Sequence, residues 1–227
     1  MSMTRFFRPP LRTLRACLAL FLLMLAMPAA AAITYVASTY DNVGGGGTSS
    51  LGMAQPAGTL ENDLLIAQIG LRSGSPSITT VPAGWALAAS QSRGDMTQLV
   101  YYKIAGAAEP ATYTWGFGSS YRLSAVLSAF RGVDTAAPIM AVATASGSGS
   151  SVTAPSVTTT ASDAMLLGYF STRNGNATFT PPTGMSEFSD WGSSAGPNGI
   201  GVAGPYENIP KAATNRPPPP GAPAHTH

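Results

Sequence analysis

The sequence predicts an all-β protein, an antiparallel sandwich or barrel, on three observations. Short strand-like runs follow one another at close spacing, separated by Gly, Pro, Ser and Asn. No stretch sustains a helical period with caps at both ends, and only Val133 to Pro138 admits a single helical turn. The composition is low in charge (10%) and carries 25 Gly with abundant Ser, Thr and Ala, as in extracellular β-rich domains. It is not the highly charged, apolar-poor make-up of a disordered chain.

The strands are expected in this order. "ITYVAST" (33–39) alternates apolar and polar residues, and "DNVGGGGTSS" (41–50) reads as a flexible loop. "DLLIAQIGLR" (63–72) is apolar almost throughout, as in a strand covered on both faces. "WALAASQ" (85–91) and "MTQLVYYKIA" (96–105) come next. "ATYTWGFG" (111–118) puts Tyr113, Trp115 and Phe117 on one face and threonines on the other. "YRLSAVLSAFRG" (121–132), "AMLLGYFSTR" (164–173) and "GIGVAGPYENI" (199–209) complete the set. "ATASGSGSSVTAPS" (143–156) reads as a long exposed loop within one domain, because the chain beyond it is too small and strand-poor to stand alone.

The N-terminus reads as a secretory signal peptide over residues 1–32. Arg5, Arg8, Arg12 and Arg15 make a basic start, residues 16–32 an apolar run, and the alanines before Ala32 a small-residue exit. The apolar run is short for a bilayer span, which needs about 20 residues. Cleavage is expected after Ala30 or Ala32. It removes Cys17, the single cysteine, so the mature chain holds together by burial without a disulfide. It also removes four of twelve basic residues and leaves eight against ten acidic ones. No basic patch remains, which argues against nucleic-acid binding.

A weak internal repeat appears at an offset of 100 residues. Asp63 aligns with Asp163, Leu65-Ile66-Ala67 with Met165-Leu166-Leu167, and Thr80, Pro82 and Gly84 with Thr180, Pro182 and Gly184. Trp85 falls opposite Met185. Each copy reads as one structural unit: a polar start, an apolar strand, a loop and a Pro-x-Gly turn. Pseudo-symmetric packing of two sheets explains it without a pair of ligand sites.

The stretches "NDLLIAQIGLR", "TTVPAGWALAAS", "LVYYKIAGAAEPATYTWGF", "LSAFRGVDTAAPI" and "VTAPSVTTTASDAMLLGYF", in this order, resemble a jelly-roll-like β-sandwich module. That module recurs in bacterial secreted and surface proteins and in some phage structural proteins. The resemblance spans residues 33–210. It implies an antiparallel two-sheet β-sandwich serving as an extracellular binding or structural unit, and it brings no catalytic residues. Such modules continue past the equivalent of "YENIPKA" into one more strand. Here residues 211–227 form a Pro-rich stretch, expected to be a disordered tail, in which Pro217–Pro220 cannot donate to a ladder. The expectation is that a frameshift or alternative stop replaced the closing strand and left a sheet edge open. An alternating strand in another reading frame past codon 211 would bear this out; its absence from every frame would refute it.

Candidate chemistry is sparse. His225 and His227, the two histidines, lie in the tail, so no histidine-assisted nucleophile is expected in the sandwich. The mature carboxylates are Asp41, Glu61, Asp63, Asp95, Glu109, Asp134, Asp163, Glu187, Asp190 and Glu207. They show no pair spaced as a glycosidase requires, so no catalytic residue is assigned. No cofactor is expected. A Ca²⁺ site would draw on Asp41 and Asn42, but their spacing matches no defined loop, and no metal ligand is assigned. Trp85 and Trp115 are expected in the core. Trp191, in the loop-like "SDWGSSAGPNG", is the candidate ligand-binding residue, as an exposed platform for a sugar ring. Arg93-Gly94-Asp95 spells an adhesion tripeptide, but it joins two strand-like runs, where Gly-Asp makes a tight turn.

These expectations converge on an exported, non-enzymatic module, secreted or periplasmic, that binds a carbohydrate or a surface polymer. A purely structural or adhesive part and a carboxylate-dependent glycoside hydrolase are the alternatives. The expected partners are polysaccharide or cell-surface components. Nucleic acid and, after signal cleavage, a membrane span are not expected.

Overall fold

The computed structural model describes residues 32–149, 153–159, 161, 163–193 and 196–209. The signal peptide up to Ala31, Cys17, both histidines and the Pro-rich tail lie outside the described residues. The described chain is all-β, in two antiparallel sheets that do not close into a barrel. Its ten strands are β1 (Thr34–Ala54), β2 (Leu64–Leu71), β3 (Ile78–Thr80), β4 (Ala86–Arg93), β5 (Met96–Ile104), β6 (Thr112–Arg131), β7 (Ala164–Leu167), β8 (Phe170–Thr172), β9 (Ser186–Gly192) and β10 (Gly201–Ile209). A 3-10 turn, Gly196–Asn198, stands before the last strand. Among the described residues no helix is long and apolar enough to cross a membrane.

The first sheet runs β1-β6-β2-β5-β4, with β3 against the early part of β6. Its centre is buried on both sides. On one face of β2, β5 and β6 lie Leu65, Ala67, Ile69, Leu99, Tyr101, Leu123 and Leu127. On the other lie Leu64, Ile66, Val100, Val126 and Phe130. Every residue of β2 is buried, as its continuous apolar run predicts. The first face is covered by the sheet itself. β1 and β6 stay paired through a bend, and their far limbs bring Leu51, Met53, Tyr113, Trp115 and Phe117 onto that core. Trp85 meets Tyr113 and Trp115 edge-on, at 5.2 Å from each ring centre.

That bend corrects two expectations. "DNVGGGGTSS" is not a free loop but the bulged middle of β1, where the register jumps between Val43 and Thr48 and again before Ser50. The extra residues turn the corner. Gly47 sits there at φ +78°, with an added Cβ 2.7 Å from the Tyr121 carbonyl carbon, so only glycine fits. Likewise the runs expected at 111–118 and 121–132 are one strand, β6, continuous through Gly118–Tyr121. The single helical turn at Val133 to Pro138 is also absent. Asp134 Oδ1 accepts from the Ala136 N–H at 2.9 Å and forms a side-chain turn instead.

The second sheet packs β10 between β9 on one side and β7 with β8 on the other. The run expected at 164–173 is broken into β7 and β8 because it faces Pro205 of β10, which has no N–H. Gly168 N–H still reaches the Pro205 carbonyl at 2.8 Å. The break is used: Gln68 and Gln98 of the first sheet donate to the carbonyls of Phe170 (2.7 Å) and Tyr169 (2.8 Å). Ser124 Oγ donates to the Ile200 carbonyl at 2.7 Å. These bonds fix the second sheet over the first across the shared core of Phe188, Ile200 and Val202.

The repeat at offset 100 extends to topology. β2, β4 and β5 correspond to β7–β8, β9 and, after five inserted residues, β10, and the sheet orders β2-β5-β4 and β7/β8-β10-β9 match. The Pro-x-Gly turns match as well. Trp85 and Met185 donate to the carbonyls of Pro82 and Pro182, with Gly84 at φ +81° and Gly184 at φ +92°. Residues 143–149 and 153–156 form no strand, as expected of the long loop.

Candidate ligand-contact site

β1 is an edge strand of the first sheet and β9 an edge strand of the second, and the two run side by side at one seam of the sandwich. Aromatic residues line that seam. Tyr35 stacks on Phe188 at 5.6 Å, and Phe188 meets Phe130, Tyr169 and Tyr206 within 6.0 Å. Tyr35 donates to Ser38 Oγ (2.9 Å), and Ser38 to the Phe188 carbonyl (3.3 Å). Further along both strands the row reaches the surface in Tyr40 and Trp191. Their rings lie face to face, 3.6 Å between centres and 10° from parallel, with Tyr40 50% and Trp191 40% exposed.

The register explains the stack. Tyr40 pairs with Val126 and Trp191 with Val202, so both project from the core faces of their sheets at the rim. Each ring shields one face of the other and leaves the rest to solvent. Trp191 is thus exposed, as expected, but its setting is corrected: it belongs to β9, a strand paired with β10, and not to a loop. The sequence alone does not point to Tyr40, since the two rings are 151 positions apart. The stack also ties the two sheets. A Tyr40→Ala/Trp191→Ala double-mutant cycle on thermal or urea unfolding is expected to give a coupling of about 1 kcal/mol. A coupling near zero would show that the rings are neighbours without mutual support.

Asp41, Asp63 and Glu109 are occupied elsewhere. Asp63 accepts from Arg131 and from the Leu60 N–H. Burial alone would raise the Glu109 carboxyl. Lys103 (2.7 Å), the Gly106 N–H (2.6 Å) and the Tyr113 hydroxyl (2.8 Å) overcome it and hold the group below its ordinary value. Asp41 accepts from the Asn42 N–H at 2.8 Å. Among the described residues no three His, Cys, Asp or Glu gather as a metal site.

Arg93-Gly94-Asp95 is the tip of the β4–β5 hairpin, with Arg93 paired to Met96. Gly94 takes φ +58° at the first central position, as a two-residue turn requires. Asp95 binds Arg72 at 2.8 Å and Arg173 at 3.0 Å, joining the hairpin to the end of β8. The hydrogen bond from Arg72 leads the effects that hold its carboxyl below the ordinary value.

Glu187 and Asp190, on β9, behave differently. Glu187 is pushed up to about 7, first by burial and then by the Asp190 charge, and its Oε1 is buried without a hydrogen-bond partner. Burial also raises Asp190, against the Phe179 N–H that it accepts at 3.0 Å. The folded chain therefore holds the Glu187 proton more tightly than the unfolded chain, where the group titrates near its ordinary 4.5. Stability from this group is full below that value and falls as pH rises to about 7. Partial exposure limits the fall to on the order of 1 kcal/mol. Between pH 5.5 and 8 the melting temperature of Glu187→Gln is expected to decline less than that of the parent. Equal declines would remove Glu187 as the cause.

Compared with known proteins, the chain matches no family model, no curated protein and no solved structure.

Proposed function

We propose that the protein is an exported, non-enzymatic binding module, secreted or periplasmic, whose ligand is a carbohydrate or a related surface polymer. The Tyr40–Trp191 ledge carries this reading. It is a flat, rigid, half-exposed aromatic pair on two strands that packing holds in place. Sugar rings present apolar C–H faces that such a surface accepts with little loss of side-chain freedom. Asn42, two residues beyond Tyr40 on the same face of β1, is placed to supply a polar contact at the ledge's margin. The engaged carboxylates weigh against hydrolysis. Asp63 and Glu109 are tied into ion pairs, and Asp95 is held by two arginines.

A glycan array probed with the protein is expected to show binding that both Trp191→Ala and Tyr40→Ala weaken at least tenfold. Binding that survives both changes would move the site off the ledge. Absence of binding to any glycan would favour the structural or adhesive alternative.

A further inference from the structure

We propose that the ligand of the Tyr40–Trp191 ledge is an acidic oligosaccharide, whose carboxylate or sulfate group is held by Arg122. The proposal rests on the ledge reading above and adds the charge class of the ligand. Arg122 stands at the same seam as the two rings. Along β6 it continues the alternation of Phe130, Val126 and Ser124, the side that faces the second sheet. Tyr40 pairs with Val126, Asn42 with Ser124 and Val43 with Leu123, and Arg122 follows next along β6. It lies four residues beyond the Tyr40 rung, about 13 Å along the strand. Asn42 falls between the rings and the arginine.

The Arg122 guanidinium bridges the two sheets without meeting an acid. Nε donates to the Gly45 carbonyl in the β1 bulge at 2.7 Å, and Nη1 to the Asn198 carbonyl in the 3-10 turn at 3.4 Å. Two neutral carbonyls orient the charge and do not cancel it. Among the described residues Nη2 meets no acceptor, so both its hydrogens are open to a ligand. Arg72, Lys103, Arg131 and Arg173 each pair with an Asp or Glu. Arg93 has no such pair among the described residues, but it is exposed at a hairpin tip, where water suffices. Arg122 is partly buried, fixed in place and without a carboxylate partner among the described residues. A planar fork of that kind matches two oxygens of a carboxylate or a sulfate.

The surroundings admit such a group. A Cβ added at Gly45 or Gly46 would meet no atom within 4 Å, so the bulge beside Arg122 borders open space. The acids next to the rings in sequence face the other way. Asp41 pairs with Ala125 and Asp190 with Ala203, on the opposite sides of β1 and β9 from Tyr40 and Trp191. Each already accepts a backbone N–H, Asp41 from Asn42 at 2.8 Å and Asp190 from Phe179 at 3.0 Å. The ring-bearing side of the seam therefore carries an uncancelled positive charge and a neutral amide. A neutral sugar would use the rings and Asn42 and leave the cation unmatched. An acidic one uses all of them, and the distance between rings and cation calls for several linked sugars.

The test titrates the full chain with oligogalacturonate, with its uncharged methyl ester and with sulfated galactan oligosaccharides. At least one acidic probe is expected to bind about tenfold tighter than the ester, and to lose that advantage in high salt. The acidic probe that binds tells carboxylate from sulfate. Arg122→Gln is expected to weaken that probe about tenfold and to leave the ester unchanged. Asn42→Asp adds a negative charge at the seam and spares both carbonyl contacts of Arg122. It is expected to weaken the same probe, and it decides the matter if melting shows Arg122→Gln to be unfolded. An acidic preference that survives both variants overturns the proposal. Binding to neutral glycans only, lost with Trp191→Ala, also overturns it and leaves the ledge reading standing. Binding to no glycan at all removes the ledge reading and this proposal with it.

Discussion

An Asp63→Ala variant is expected to be about 3 kcal/mol less stable than the parent. Asp63 is nearly fully buried at the entry to β2, and its carboxylate takes three hydrogen bonds. Arg131 donates from Nε (2.9 Å) and Nη2 (2.8 Å), and the Leu60 N–H donates at 2.8 Å. Arg131 closes the set by donating to the Gly58 carbonyl at 2.8 Å. One carboxylate thus shapes the turn before β2 and pins the end of β6 beside it. Alanine removes both effects and leaves a small cavity. Arg131 is 43% exposed and regains water, which keeps the cost below that of stranding a buried charge. Asp63→Asn, which keeps one acceptor, is expected to lose about half as much. Urea unfolding of the three proteins checks this, and a loss under about 1 kcal/mol for alanine would show that the turn forms without the carboxylate.

Gly70→Val is expected to cost a similar amount, about 3 kcal/mol, through crowding. Gly70 faces the second sheet from near the end of β2. A Cβ there would lie 2.7 Å from Ile200 Cγ2 and 3.2 Å from both Val202 Cγ1 and Ser171 Oγ. Ile200 and Val202 are fully buried and have no free space to move into. Valine adds two more carbons, so the second sheet must lift and strain the Gln68 and Gln98 bonds to Phe170 and Tyr169. Gly70→Ala is expected to fall between. Thermal unfolding followed by near-ultraviolet circular dichroism reads both stability and aromatic packing. A valine variant within about 0.5 kcal/mol of the parent would mean that the sheets have slack at this point.

How much of the fold is legible in the sequence depends on how local each signal is. β2 is legible because burial on both faces makes it apolar at every position but Gln68 and Gly70. The β4–β5 hairpin is legible because Gly94 and Asp95 punctuate it. The bend through β1 and β6 is not, because a glycine-rich bulge has the composition of a loop. Only the partner strand shows that Gly45 and Gly47 belong to a ladder. β9 escapes a local reading because an edge strand with one outward face reads as polar. Its Glu187 and Asp190 mask Phe188 and Trp191. The repeat holds the missing signal, since the same offset carried past Met185 places β9 opposite β4. Trp191 is legible as an exposed ring, but Tyr40 is not. Their stacking is a tertiary contact that no local pattern encodes.

The division of strands along the chain also sets an order of events. Every strand of the first sheet lies between Thr34 and Arg131, and every strand of the second between Ala164 and Ile209. A chain emerging from its N-terminal end can complete the first sheet before the second has been made. That nascent sheet encloses one core but presents Ile66, Val100, Val126 and Phe130 uncovered on its other face. Its outer ladder joins Thr34 to Arg131, a closure of nearly a hundred residues, which is slow to form. The interval before β7–β10 arrive is when the chain is most prone to stick to its neighbours. Slowing synthesis between residues 132 and 164 is therefore expected to raise aggregation more than the same delay after residue 209.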